Sequence, residues 1–78
     1  MDLLGYAISE ETKVYRDGSN QEYIEVAPYL RATKVVDYDG EEAIRLSIVS
    51  EGKVFRGPHV RKEDLLKTFS AMLHLLNV

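Results

Sequence analysis

Lys53, Arg56, Arg61 and Lys62, together with His59, crowd a run from Lys53 to Lys62 that holds no acidic side chain. Such a cluster can hold an anion even on an acidic chain, because salt limits each charge's reach to about 8–10 Å. It can equally be a solvated rim. Within it, Gly57-Pro58-His59-Val60-Arg61-Lys62 places Arg61 and Lys62 just ahead of a helical pattern, where free backbone N–H groups and the helix dipole favour phosphate. Tyr23, Tyr38 and Phe55 fall on strand-like segments, with Arg45, Ser47 and Arg56 at neighbouring strand positions. Single-stranded nucleic acid is held by bases stacked on exposed rings beside a basic groove, so these residues are the expected stacking and phosphate-contacting set. The same rings could instead fill a core.

Other chemistries find less to work with. The chain has no cysteine, and its only histidines are His59 and His74. A disulfide staple, a thiolate zinc site and a cysteine nucleophile are therefore excluded, and neither a metal nor a cofactor is expected. Glu10-Glu11 and Glu41-Glu42 are carboxylate pairs, but adjacent residues on an extended chain point to opposite sides. Ser47, His59 and Asp37 could be assembled into a triad on paper, yet the strained Gly-x-Ser-x-Gly turn is absent. Isolated glycines provide no phosphate-cradling loop. No catalytic residue is expected, and the chain reads as non-enzymatic.

The elements that must position these residues follow from patterning. Thr12–Arg16 and Glu22–Ala27 alternate as strands around Asp17-Gly18-Ser19-Asn20, whose Asp-Gly pair suits the positive φ of a hairpin turn. Leu30–Tyr38 and Glu42–Ser50 flank a second Asp-Gly turn at Asp39-Gly40. In the return strand Ile44, Leu46 and Ile48 share one face, expected to be core, while Ala43, Arg45, Ser47 and Val49 share the other. A turn at Ser50-Glu51-Gly52-Lys53 leads into Val54-Phe55-Arg56, and Gly57-Pro58 is expected to end that strand. From Lys62 the period changes, and Leu65, Leu66, Phe69, Met72, Leu73 and Leu76 form one helical stripe that calls for a sheet to lie on. No clear C-cap signal precedes Val78.

The expectation is a single α+β domain over residues 1–78. Residues 1–11 form a mobile lead-in or a short strand, residues 12–57 an antiparallel sheet of four to five strands built from hairpins, and residues 60–77 one amphipathic helix packed on one face. The 78-residue, 8.9 kDa chain can bury only about 60% of its unfolded surface. A homodimer sharing a sheet edge or a helix face is therefore expected. Net charge is −3 overall, but residues 1–51 carry −6 and residues 52–78 carry +3. The start lacks the basic region and long apolar run of a signal peptide, and no stretch of 18 apolar residues occurs. A cytoplasmic protein with no membrane partner is expected.

Two resemblances sharpen this reading. The hairpin Tyr38-Asp39-Gly40-Glu41-Glu42-Ala43-Ile44-Arg45-Leu46, followed by the basic strand Lys53-Val54-Phe55-Arg56-Gly57 and a helix, resembles the whirly-like group that includes the coactivator positive cofactor 4. That group dimerises and grips single-stranded DNA on its sheets, which implies contacts at Arg45, Lys53, Phe55 and Arg56. The stretch from about Tyr23 to Asn77, with Pro28, Ala32-Thr33-Lys34-Val35-Val36-Asp37-Tyr38-Asp39-Gly40, Gly52 and Pro58 before a leucine-bearing helix, is similar to the N-terminal module of plasmid and phage replicative helicases. Together they imply an accessory module that binds single-stranded DNA in a phage or mobile-element replication system. Arg45, Lys53, Arg56, Arg61 and Lys62 would contact phosphates, and Phe55 or Tyr38 would stack bases. The alternative is a small protein-interaction module, a phage inhibitor or adaptor, that engages a replication or host protein through a sheet edge or the acidic turn from Asp37 to Glu42.

Overall fold

The structure, a computed structural model, describes residues 12–78. Residues 1–11, expected to form a lead-in or a short strand, lie outside the described residues. The chain folds as α+β: strands β1 (Tyr15–Arg16), β2 (Glu22–Ala27), β3 (Leu30–Val36), β4 (Glu42–Ser50) and β5 (Lys53–Arg61) form one antiparallel sheet in sequence order. A 3-10 turn, Lys62–Asp64, then leads into the helix α1 (Leu65–Leu76). Each strand pairs with the next through a short turn, so the sheet is a meander with β1 and β5 at its edges.

The turns follow their local chemistry. In the β1–β2 loop the Asp17 carboxylate accepts the backbone N–H groups of Ser19 and Gln21, both at 2.9 Å, the local pattern that draws aspartate to turns. The left-handed position there is taken by Asn20 at φ 61°, in place of the expected Gly18. In the β3–β4 turn Gly40 takes φ 80°, and the β4–β5 turn has Glu51 and Gly52 at φ 51° and 76°. Two successive positive φ values are the hallmark of the tight hairpin turn whose twist matches that of its strands.

Three expectations are corrected. First, β5 does not end at Gly57-Pro58 but runs through it to Arg61. Arg45 pairs with His59 and Ser47 with Arg56, which leaves Gly57 and Pro58 opposite the single residue Leu46 as a β-bulge. A missing N–H is tolerated there because β5 is an edge strand. Gly57 is needed for a different reason: a Cβ at this position would lie 2.5 Å from the Leu46 carbonyl oxygen.

Second, the faces of β4 are inverted relative to expectation. Ala43, Arg45 and Ser47 are buried, whereas Ile44 and Leu46 are half-buried and Ile48 is exposed. Third, the helix does not lay its stripe on the sheet. It contains no buried residue, it touches the sheet mainly at β5, and Leu66, Phe69, Met72, Leu73 and Leu76 are all exposed. Val35 and Ala43 are the buried hydrophobic residues among those described. A C-cap is also present: the Asn77 N–H donates to the His74 carbonyl at 3.1 Å, and its side-chain amide donates to the Leu73 carbonyl at 2.9 Å.

Candidate nucleic-acid interface

Register decides which side chains share a face. Arg31 lies opposite Ser47, Thr33 opposite Arg45 and Val35 opposite Ala43 across β3 and β4. Tyr23 continues the Thr33 row onto β2, and Tyr15 continues it onto β1. On the other side His59 continues the Arg45 row and Arg56 the Ser47 row. Side chains alternate along a strand, so one face of the sheet carries Tyr15, Tyr23, Glu25, Arg31, Thr33, Val35, Ala43, Arg45, Ser47, Arg56, His59 and Arg61, with the Glu25 carboxylate directly opposite Arg31. The bulge is what places Arg56 there with His59 and Arg61. Without it, residues two and four positions beyond Arg56 would share its face, and these are Pro58 and Val60.

This polar face is furnished by rings and guanidinium groups. Tyr15 and Tyr23 stack with centroids 5.5 Å apart at 26°, an offset geometry suited to aromatic quadrupoles. The Arg31 guanidinium lies 4.0 Å over the Tyr23 ring, a cation–π contact. Arg45 reaches from β4 past β3 to donate to the Gln21 side-chain oxygen at 3.4 Å. Two strand spacings amount to about 9–10 Å, a distance that two long side chains reaching toward each other span.

Beneath these long side chains lies the feature that distinguishes the face. Thr33 and Ser47 are each only 1% exposed and Arg45 9%. The Thr33 and Ser47 hydroxyls and the Nε atoms of Arg31 and Arg45 are buried without a hydrogen-bond partner among the described residues. The four residues form two adjacent cross-strand pairs, a patch of about 5 Å by 7 Å. Each group can donate, and the guanidinium nitrogens can only donate. Leaving such a group unpaired costs about 1–3 kcal/mol. The ligand that suits them supplies several acceptors and no donors within a small volume, as a phosphate diester does.

Charge at the rim is graded. Asp17 has its carboxyl held below the usual range by the Gln21 backbone N–H first, with Ser19, Arg45 and Arg56 adding to it against partial desolvation. An ionised carboxylate thus shares the field of Arg45 and Arg56.

The sequence-derived candidates separate into distinct places. Arg45 and Arg56 sit on the polar face. Phe55 does not: it pairs with Ile48 on the opposite, apolar face and is 54% exposed. Lys53 pairs with Ser50 at the β4–β5 hairpin end. Tyr38 is fully exposed in the β3–β4 turn. Arg61 donates to Asp37 at 3.1 Å and to Asp39 at 2.6 Å, and Lys62 pairs with Glu42 at 3.2 Å. Those two bases neutralise the acidic turn instead of pointing into an open anion site. Their partners register it: Asp37 is lowered by the Tyr38 N–H, then by Arg61 and His59, and Glu42 by Lys62, then Lys34.

Arg31, Thr33, Tyr15 and Gln21 were not singled out from sequence as contacting residues. The usable signal was the alternation of Tyr23 with Glu25 and of Arg31 with Thr33 on facing strands, which becomes a single surface only once the register is known. Among the described residues no group of three or more histidine and carboxylate side chains could hold a metal ion, and no helix is long and apolar enough to cross a membrane. No family model, curated protein or solved structure matches the chain.

Proposed function

We propose that this chain is a non-enzymatic module that holds single-stranded nucleic acid across the polar face of its sheet. The observation that carries the reading is the patch of four buried, unpartnered donors at Arg31, Thr33, Arg45 and Ser47 beside the Tyr15–Tyr23 stack. These donors are closed to solvent, so a backbone phosphate satisfies them only when the Arg31 and Arg45 side chains swing outward, and a neighbouring base stacks on Tyr15, which is 42% exposed. Arg56 adds charge without reading sequence, because phosphate contacts position a strand but do not specify it. The resemblance to helicase N-terminal modules and to the whirly-like group supports a setting in phage or mobile-element replication, in the cytoplasm. The competing reading, a protein-interaction module using the acidic turn, is weakened because Asp37, Asp39 and Glu42 are already engaged by Arg61, Lys62 and Lys34.

The test is fluorescence anisotropy with a labelled single-stranded oligonucleotide at 50 and 200 mM salt. If Arg31, Arg45 and Arg56 displace three counterions, affinity falls about 20-fold over this fourfold change in salt, following a single-strand slope of about −0.7 per phosphate neutralised. Arg45→Ala with Arg31→Ala should remove most of that slope, whereas Arg61→Ala should change it little. Binding that ignores salt, or that survives the double substitution, would refute the assignment.

A further inference from the structure

Two apolar surfaces have no partner. One is the helix stripe, represented by Leu66, Phe69, Leu73 and Leu76, at 59%, 41%, 38% and 81% exposure. The other is the sheet face opposite the arginines, where Ile48 and Phe55 form a cross-strand pair at 48% and 54% exposure, next to half-buried aliphatic side chains. The helix cannot fold its stripe onto its own sheet as it stands, because only the three-residue turn Lys62–Asp64 separates it from β5. The side it presents to His59, Val60 and Arg61 is that of Asp64, Lys67, Thr68, Ala71, Met72 and Leu75, so of the stripe Met72 alone reaches that side. At 100° per residue this side is centred about a third of a turn from the stripe.

We infer that the occupant of both surfaces is a second copy of this chain, the helix stripe of each copy covering the Ile48–Phe55 face of the other. Area supports the choice. The six exposed side chains leave on the order of 100 Å² each, and with the half-buried residues around Ile48 and Phe55 the patch reaches roughly the 800 Å² per partner of a standard stable interface. A two-fold axis also fits the inventory, because an isologous contact needs two complementary patches on one chain, each used once per copy. With Val35 and Ala43 as the buried hydrophobic residues among those described, the pairing adds apolar burial on the opposite side of the sheet. The arrangement does not use the arginine face and gives Phe55 an apolar role in place of base stacking.

Sedimentation equilibrium of the full chain between about 1 and 100 μM tests this, together with the melting temperature at each concentration. The expected result is a dimer mass and a melting temperature that rises with concentration, since dimerisation stabilises by mass action. Leu73→Glu and Phe55→Glu should each weaken association at least tenfold, while Tyr23→Ala leaves the mass unchanged. A monomer at every concentration whose helix amides nonetheless resist hydrogen exchange would show the chain covering its own surfaces, and would overturn the proposal. So would dimers indifferent to either glutamate. If the variants do not fold, the concentration dependence of the wild-type melting temperature decides. Oligonucleotide binding plays no part in this readout, so the dimer and the nucleic-acid reading can fail separately.

Discussion

Thr33 has a hydroxyl where a methyl group would fit, and the hydroxyl is buried with nothing to bond. Evaluated for stability alone, that choice is a defect: the oxygen gives up water and receives no replacement. Evaluated for binding, it is a donor kept dry and waiting. The two views make opposite predictions for Thr33→Val, which keeps the shape and deletes the orphan. Apo stability should rise by about 1 kcal/mol, visible as a higher urea midpoint at unchanged slope, while affinity for single-stranded oligonucleotide falls severalfold. A variant both less stable and equally tight would show that the hydroxyl has a structural task. Arg45 raises the same issue with a charge: the residue is 9% exposed, its side-chain hydrogen bond among the described residues is a long one to Gln21, and the nearby Asp17 carboxylate offsets part of the cost of burying it.

Among the elements, Gly57 decides the most. A Cβ there would meet the Leu46 carbonyl oxygen at 2.5 Å, and backbone on an internal strand cannot retreat as the tip of a side chain would. Gly57→Ala should therefore cost about 1–3 kcal/mol, measured by urea denaturation. It should also weaken oligonucleotide binding, since the bulge sets which of β5's residues join the arginine face. The hairpins themselves were legible because each turn is written locally: Asp17 with its two N–H partners, Gly40, and the pair Glu51-Gly52. The bounds of β4 were readable for the same reason. The faces were not. Ile44, Leu46 and Ile48 form the more hydrophobic row, and alternation alone assigns such a row to the core of the same chain. It cannot say that Thr33 and Ser47 will be buried, or that the apolar row will stay half open. The Gly57-Pro58 step misled for a related reason: those residues do interrupt a ladder, but on an edge strand the interruption is absorbed as a bulge and the strand continues. Arg61 and Lys62 were legible as bases near a helix start, whereas their capture by Asp37, Asp39 and Glu42 depends on a pairing of strands that sequence spacing does not reveal.

At the scale of the whole molecule, one set of ion pairs fastens the helix-bearing end of the chain to the sheet. Asp37, Asp39 and Glu42 hang from the β3–β4 turn and the start of β4, and Arg61 and Lys62 reach them from the end of β5 and the 3-10 turn where the helix departs. Asp37 lies below its ordinary value of 3.8, chiefly because it accepts the Tyr38 N–H and then because of Arg61. Glu42 lies below 4.5 because of Lys62 and then Lys34. A carboxyl whose folded value is lower than its unfolded one binds fewer protons when folded, so stability rises with pH across that interval. The contribution is complete above about pH 4.5 and is lost as pH falls through the lowered values. Arg61, pushed further up by Asp37 and Asp39, keeps its charge throughout, so the carboxylates are the half of each pair that lets go. Urea midpoints measured from pH 6 to pH 3 should decline steeply below pH 4.5 in the wild type. They should decline less steeply in Asp37→Asn with Glu42→Gln, which starts lower and has less to lose. Repeating the series in 1 M salt should narrow the gap between the two proteins, because Lys62 and Asp39 are well exposed and such pairs are screened. Equal slopes for the two proteins at low salt would mean that this clamp contributes nothing to holding the helix at the sheet's edge, and that the general build-up of positive charge in acid accounts for the loss instead.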